Sequence, residues 1–189
     1  MNVFDFDETI FPVDSSAAFF RFCLRKYPRL VLKNAAGFSL AGARYAAKQA
    51  KAAELKEELF SFLAYLPEPE KEVRLFWEKN FSRINSWYLS MKREDDVIIS
   101  ASPEFLLRPV AEKLNVDLLA TPMDIHSGRI LGRNCHDDEK AIRFREKYPA
   151  AQIDAFYSDS LSDAPLARIA LHPYLVKHGI PVPWPSDRL

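Results

Sequence analysis

Asn2-Val3-Phe4-Asp5-Phe6-Asp7-Glu8-Thr9 is the stretch on which the reading of this sequence turns. Residues 2–6 have the apolar, aromatic character of a short buried strand, and the strand ends among acids. On a continuing strand Asp5 and Asp7 point to one face. Two such carboxylates repel each other and lose hydration unless a cation joins them. Magnesium suits the pair, because it is a hard ion that takes oxygen ligands and needs few of them from protein. A carboxylate placed this way can also attack phosphorus and split a hydrolysis into two easier steps. A second carboxylate can protonate the leaving oxygen and later deprotonate water. The plain alternative is a polar strand end whose Asp and Thr cap a turn.

Outward from this stretch, Val97-Ile98-Ile99 is β-branched and reads as a second central strand. Ser102-Pro103-Glu104 then has the form of an N-cap with proline at the first helical position. The spacing predicts a helix to about Leu114, with Phe105, Leu106, Val110 and Leu114 inward. Leu118–Thr121 gives a third strand. Met123–Ile125 and Arg129–Leu131, joined around His126-Ser127-Gly128, suggest a hairpin. Asp137 or Asp138 can cap a helix to Tyr148. Ile153–Tyr157 is a fourth strand and Tyr174–Lys177 a fifth. About 90 residues between the first two strands have helical periodicity, punctuated by Pro28, Pro67 and Pro69. The pattern predicts an α/β core, residues 1–14 and 91–189, carrying an all-helical cap over 15–90 that is inserted after the first strand.

Three further places carry chemistry. Ser100 ends the second strand, where a hydroxyl beside free helix-start amides suits a phosphate oxygen. Lys140 falls in a first helical turn, where a cation opposes the helix dipole. It reaches either a phosphate and the nucleophile or only its neighbouring acids. Asp159 and Asp163 follow the fourth strand and suit a metal, one directly and one through its support, although Asp163 can equally be an N-cap. All of these lie at the C-terminal ends of predicted strands or at the helix starts that follow, which is where open parallel sheets bind ligands.

Composition sets limits on the rest. The chain has 189 residues, with 26 Lys+Arg against 26 Asp+Glu, so a zero net charge argues against a general nucleic-acid binder. Its 48% hydrophobic content fits a folded protein. Cys23 and Cys135 are too few for a disulfide scaffold, though they leave one bridge open. Acids near the N-terminus do not fit a targeting peptide, and charged residues interrupt every long apolar run. The expected location is cytoplasmic. Charge is nonetheless uneven. Ser15–Ala53 holds Arg21, Arg25, Lys26, Arg29, Lys33, Arg44, Lys48 and Lys51 and no acid, so the segment is +8 and the remainder −8.

The order Asp-x-Asp-x-Thr, Ser, Lys, Asp-x-x-x-Asp resembles the four-motif signature of the haloacid dehalogenase superfamily over nearly the whole chain. It is closest to the phosphoserine-phosphatase-like branch, with its Rossmann-like core and helical cap. The resemblance implies Asp5 as nucleophile and Mg2+ ligand, and Asp7 as general acid/base with its carbonyl on the metal. It implies Thr9 fixing the loop, and Ser100, Ala101 and Lys140 around the transferred phosphoryl group. Asp159 would ligate the metal, while Asp163 supports that site or orients Lys140. Asp14, Arg21 and Arg25 are candidates for substrate contact, with Thr9 beside them. Two departures stand out. Ser158 replaces a usual glycine, and Ala101-Ser102 replaces the Gly-Gly of true phosphoserine phosphatases, which counts against phosphoserine itself.

The expected function is magnesium-dependent hydrolysis of a small phosphate monoester through an aspartyl phosphate. The competing expectations are a phospholipid head-group phosphatase or a phosphotransferase with the same chemistry. From another class comes a non-catalytic phosphate-ligand-binding protein. A membrane surface is a conceivable partner of the basic segment; the oligomeric state is left open.

Overall fold

The computed structural model describes residues 1–47 and 51–189. Lys48, one of the eight cations, lies outside them, as does the side chain of Phe38. The first strand, β1 (Val3–Phe4), is followed by six helices: α1 (Ser15–Lys26), α2 (Pro28–Val31), α3 (Ala35–Ala46), α4 (Ala52–Phe60), α5 (Pro69–Asn80) and α6 (Ser86–Met91). Then come β2 (Val97–Pro103), α7 (Glu104–Leu114), β3 (Asp117–Thr121), α8 (Asp138–Lys147), β4 (Ile153–Ser158), α9 (Ala164–Ala167), β5 (Ala170–Lys177) and β6 (Ile180–Pro183).

The strands form one sheet in the order β3-β2-β1-β4-β5-β6. The first five run parallel, with Val3 opposite both Val97 and Phe156; β6 is antiparallel to β5. The short β1 is therefore central. Each parallel step needs a crossover, which the helices supply. The chain thus belongs to the α/β class, with Rossmann-like topology.

Aromatic packing holds the inserted helices to the sheet. Phe4 stacks on Tyr157 at 4.8 Å and meets Tyr88 of α6 edge-on at 4.9 Å. Trp77 of α5 stands edge-on to Phe6 and Phe11, and its indole donates to the Leu106 carbonyl. One buried apolar cluster runs from Phe4 through Phe19, Phe62 and Phe76 to Leu106. A second, around Val3, Phe144 and Phe156, fills the opposite face of the sheet. Cys23 and Cys135 are both free and buried, and burial pushes their thiols up to about 12 and about 11. The bridge left open by the sequence is not formed.

Several local expectations are corrected. Pro103 is the N-cap of α7 and the last residue of β2, so proline does not occupy the first helical position and Ser102 does not cap. Asp137 precedes α8 at a positive φ of 52° and makes no side-chain cap. The expected hairpin reduces to one bridge, Met123 with Ile130. That loop is tied to α4 instead: the Ile130 amide donates to Glu57 at 2.8 Å, and Gly128, at φ +73°, sits where a Cβ would meet the Phe60 carbonyl at 2.4 Å. β6, which the sequence reading lacks, returns from β5 through His178-Gly179, both at positive φ, as tight hairpin turns require.

Candidate active site

β1 ends at Phe4, so Asp5 and Asp7 do not share a strand face as the pattern suggested. Asp5 begins a loop, held by its amide to the Tyr157 carbonyl at 2.8 Å. Glu8, at φ 55°, turns the chain, and the Phe11 amide closes the turn on the Phe6 carbonyl. The loop rather than the pleat brings the two acids to one cleft of about 290 Å3 at the C-terminal ends of β1, β2 and β4.

Lys140 enters this cleft from the first turn of α8 and is 3% exposed. Its Nζ donates to Asp5 Oδ1 and to Asp163 Oδ2, both at 2.7 Å. Burial pulls its proton affinity down, but the two carboxylates outweigh burial and hold the ammonium charged. They also compensate for the unfavourable helix dipole. Burial raises Asp5, against the pull of Lys140 and with the push of Asp163.

Asp7 is set differently. Its Oδ1 accepts the Ser15 amide at 2.7 Å, and its Oδ2 accepts the Ser102 hydroxyl at 2.5 Å. Ser15 and Ser16 hydroxyls stand 3.1 and 3.0 Å from Ser102 Oγ. Ser102 has one proton to give and gives it to Asp7, so the other two serines donate to it. Burial, then the charges of Asp14 and Asp5, push Asp7 up to about 7. A carboxyl poised there can give or take a proton near neutrality.

Asp159 also lines the cleft, and its amide donates to Thr9 Oγ1 at 2.9 Å. Burial, then Asp5 and Glu8, push its carboxyl up to about 7. Asp163 does not use its side chain as a cap: its Oδ2 is taken by Lys140 and by the Ser158 hydroxyl at 2.6 Å. Both of these bonds fall on one carboxylate oxygen, which fixes the side chain against Lys140. Ser158, where the resembling family has glycine, keeps an ordinary φ and supplies that bond.

The cleft holds six acids, Asp5, Asp7, Glu8, Asp14, Asp159 and Asp163, against Lys56 and Lys140. Among the described residues no preformed cage of three or more His, Cys, Asp or Glu side chains exists. A magnesium ion does not need one, because it keeps several waters and takes one or two carboxylates. The hard oxygen donors and the uncompensated negative charge fit that ion, with Asp5 and Asp159 as the side chains that would hold it.

The remaining sequence candidates divide. Ser100 lines the cleft, 1% exposed, with its hydroxyl accepting the Ser102 amide at 3.0 Å. Ala101 also lines it. Asp14 caps α1 through the Ala17 amide and lines the same cleft. Thr9 is fully buried and engaged with Asp159, which removes it as a substrate contact. Arg21 and Arg25 line a different cavity. Lys56 was missed. From α4 its Nζ donates to the Ala101 carbonyl at 2.5 Å and to Asn134 Oδ1 at 2.7 Å. Burial lowers it to about 8, against the pull of Asp7 and Asp14. Nothing local in the sequence distinguishes it; its contacts with Ala101 and Asn134, far along the chain, mark it.

Residues 3–168 match the family described as haloacid dehalogenase-like hydrolase. The chain belongs to that family. The relatives of this hydrolase include protein CicA of Caulobacter vibrioides, 30% identical over 88% of this chain and 81% of its own. Among solved structures, a Bordetella pertussis protein described as of unknown function superposes with TM-score 0.74 at 22% identity, covering 92% of this chain and 87% of that one. A phosphoserine phosphohydrolase-like protein from Francisella tularensis gives TM-score 0.58 at 16% identity, covering 95% and 89%. The hydrolase therefore shares its fold with phosphoserine-phosphatase-like proteins. No helix of the described residues is long and apolar enough to cross a membrane.

Proposed function

We propose that this chain is a magnesium-dependent phosphomonoester hydrolase that works through an aspartyl phosphate on Asp5, with a small phosphorylated metabolite as substrate. The observation that carries the reading is the buried triad Asp5–Lys140–Asp163, with contacts of 2.7 Å, beside an Asp7 pushed up to about 7. It supports a division of labour between two carboxylates that share a cleft. Asp5, held by Lys140 on Oδ1, turns its other oxygen to phosphorus. Asp7, protonated near neutrality and oriented by Ser102 and Ser15, gives its proton to the leaving oxygen. As a carboxylate it then takes one from the water that cleaves the acyl phosphate. Lys140 and the Ser100 hydroxyl face the phosphoryl oxygens, where fixed positive and dipolar groups favour the transition state. Bound magnesium would supply charge that offsets the repulsion between phosphate and carboxylates. Solved phosphoserine phosphatases of the same fold, one of them described as a phospho-aspartyl intermediate analogue, support the reading.

The test is release of inorganic phosphate from an aryl phosphate and from a panel of phosphorylated metabolites, phospholipids included, with magnesium and with excess chelator. Turnover that needs magnesium supports the proposal. Binding of phosphate esters without turnover, with magnesium present, would make the chain a phosphate-ligand-binding protein instead. Transfer to an added alcohol in preference to water would make it a phosphotransferase.

A further inference from the structure

Arg21 and Arg25 stand on the exposed face of α1 and line a groove of about 540 Å3 against α5. This groove and the catalytic cleft have no lining residue in common. The end of α5 and the turn after it add Lys79 and Arg83, and Lys26 completes the rim. No Asp or Glu lines the groove among the described residues. Its floor is apolar, with Phe22 half-buried and Phe76 buried.

The five cations are not alike. Lys26 is neutralised by the buried Glu72 at 2.8 Å. Lys79 lies over the Phe22 ring at 5.5 Å, and Arg83 lies over Phe11 at 5.0 Å while donating to Asn80 at 3.0 Å. Arg21 and Arg25 have no partner among the described residues. They sit four residues apart on one helix, a spacing at which like charges repel and weaken the helix. A guanidinium is also the side chain whose planar fork best matches phosphate oxygens. An anion between the two would turn repulsion into attraction, and Lys79 and Arg83 would close on it from across the groove.

We propose that this groove is a second anion-binding site, separate from the cleft at Asp5, for a ligand with phosphate groups on an apolar body. The cationic rim grips the phosphate, and the Phe22–Phe76 floor receives the apolar part. A phospholipid head group with its first carbons and a soluble phosphorylated metabolite share that chemistry. The site does not depend on the hydrolytic reading of the cleft.

The experiment is calorimetric titration of the intact chain with inorganic pyrophosphate in excess chelator, where the acid-rich cleft repels anions. The expected result is saturable one-to-one binding, weakened about tenfold or more by Arg21→Gln/Arg25→Gln and by salt well above roughly 0.1 M. Turnover of a small aryl phosphate by that variant should stay within about twofold of the parent, since neither arginine touches the cleft. No saturable binding by the parent, or equal binding by a natively folded variant, overturns the proposal. If the double variant does not fold, Lys79→Gln carries the same test at an exposed position; undiminished pyrophosphate affinity there overturns it. Co-sedimentation then separates the two sources. Retention on phosphatidic acid/phosphatidylcholine vesicles, released by pyrophosphate, assigns the head group, and pyrophosphate binding without vesicle retention assigns a soluble ligand.

Discussion

The cleft at Asp5 and the groove between α1 and α5 hold opposite charge, and they hold it in different ways. In the cleft the key groups are buried and tied: Lys140 is fixed between Asp5 and Asp163, and Asp7 between Ser15 and Ser102. In the groove Arg21 and Arg25 are exposed, with no partner among the described residues. Burial makes each neighbour decisive, because desolvated charges interact strongly and move one another's proton affinities. Exposed charges act only within about 10 Å at roughly 0.1 M salt. The difference shows that a strong charge bias along a sequence does not locate the reactive centre. The chain's most basic segment flanks the Asp5–Asp7 loop in sequence, yet these two arginines line another cavity.

Breaking the buried side of this comparison should cost most. Asp5→Asn keeps size and shape but removes the proposed nucleophile, so turnover should fall by several decades, on the order of 10⁴ or more, with an unchanged circular dichroism spectrum. Near-parent turnover would remove Asp5 from the chemistry. Lys140→Met leaves Asp5 and Asp163 buried without their cation. Turnover should drop about 10²- to 10³-fold and unfolding free energy by about 3–5 kcal/mol, read by denaturant titration. An equally stable Lys140→Met protein would mean that the carboxylates are already neutral.

Ser102→Ala tests the finer setting of Asp7. Losing a hydroxyl that donates to the carboxylate should raise Asp7 further and lower kcat/KM about tenfold, with a shifted pH profile. A loss that is flat across pH would mean Ser102 acts only in packing. A separate readout is stability against pH. Asp7 and Asp159 have an ordinary value of 3.8 and stand at about 7 in the metal-free fold. Between those values the native state binds more protons than the unfolded one, so stability falls as pH rises through that window and stays low above it. The chelated protein should therefore melt at a lower temperature at about pH 8 than at about pH 5, and magnesium should restore more at the higher pH. Equal melting at both would show that the carboxylates are not crowded.

Asp5 and Asp159 were legible because each directly follows a strand, and strand ends follow from composition; Ser100 lies inside β2 rather than at its end, and Lys140 stands in the first turn of α8. Val97-Ile98-Ile99 and Ile153–Tyr157 could hardly be anything else. What escaped depended on contacts between distant parts. Ser102 looks like a helix cap because a serine before Pro-Glu usually is one; its real partner, Asp7, is 95 residues away. Lys56 reaches core atoms 45 and 78 residues on. Asp163 has the local form of a cap, but the buried ammonium of Lys140 competes for its carboxylate and wins. The cations of α1 needed Lys79 from the end of α5 and Arg83 from the turn after it before their groove became visible.

β6 was hidden by Pro181 and Pro183, which deny a ladder its donors. Their register matters for the life of the protein in a crowded solution. The Trp184 amide bonds inward to the Pro173 carbonyl, so strand alternation turns the nitrogens of Pro181 and Pro183 outward, away from β5. The outer rim of the sheet at these two positions offers no amide hydrogen to an incoming strand. A foreign chain seeking to extend the sheet there meets acceptors without donors. The opposite rim, Asp117–Thr121 of β3, carries no proline, and there the Arg143 guanidinium covers the Ala120 carbonyl at 2.8 Å.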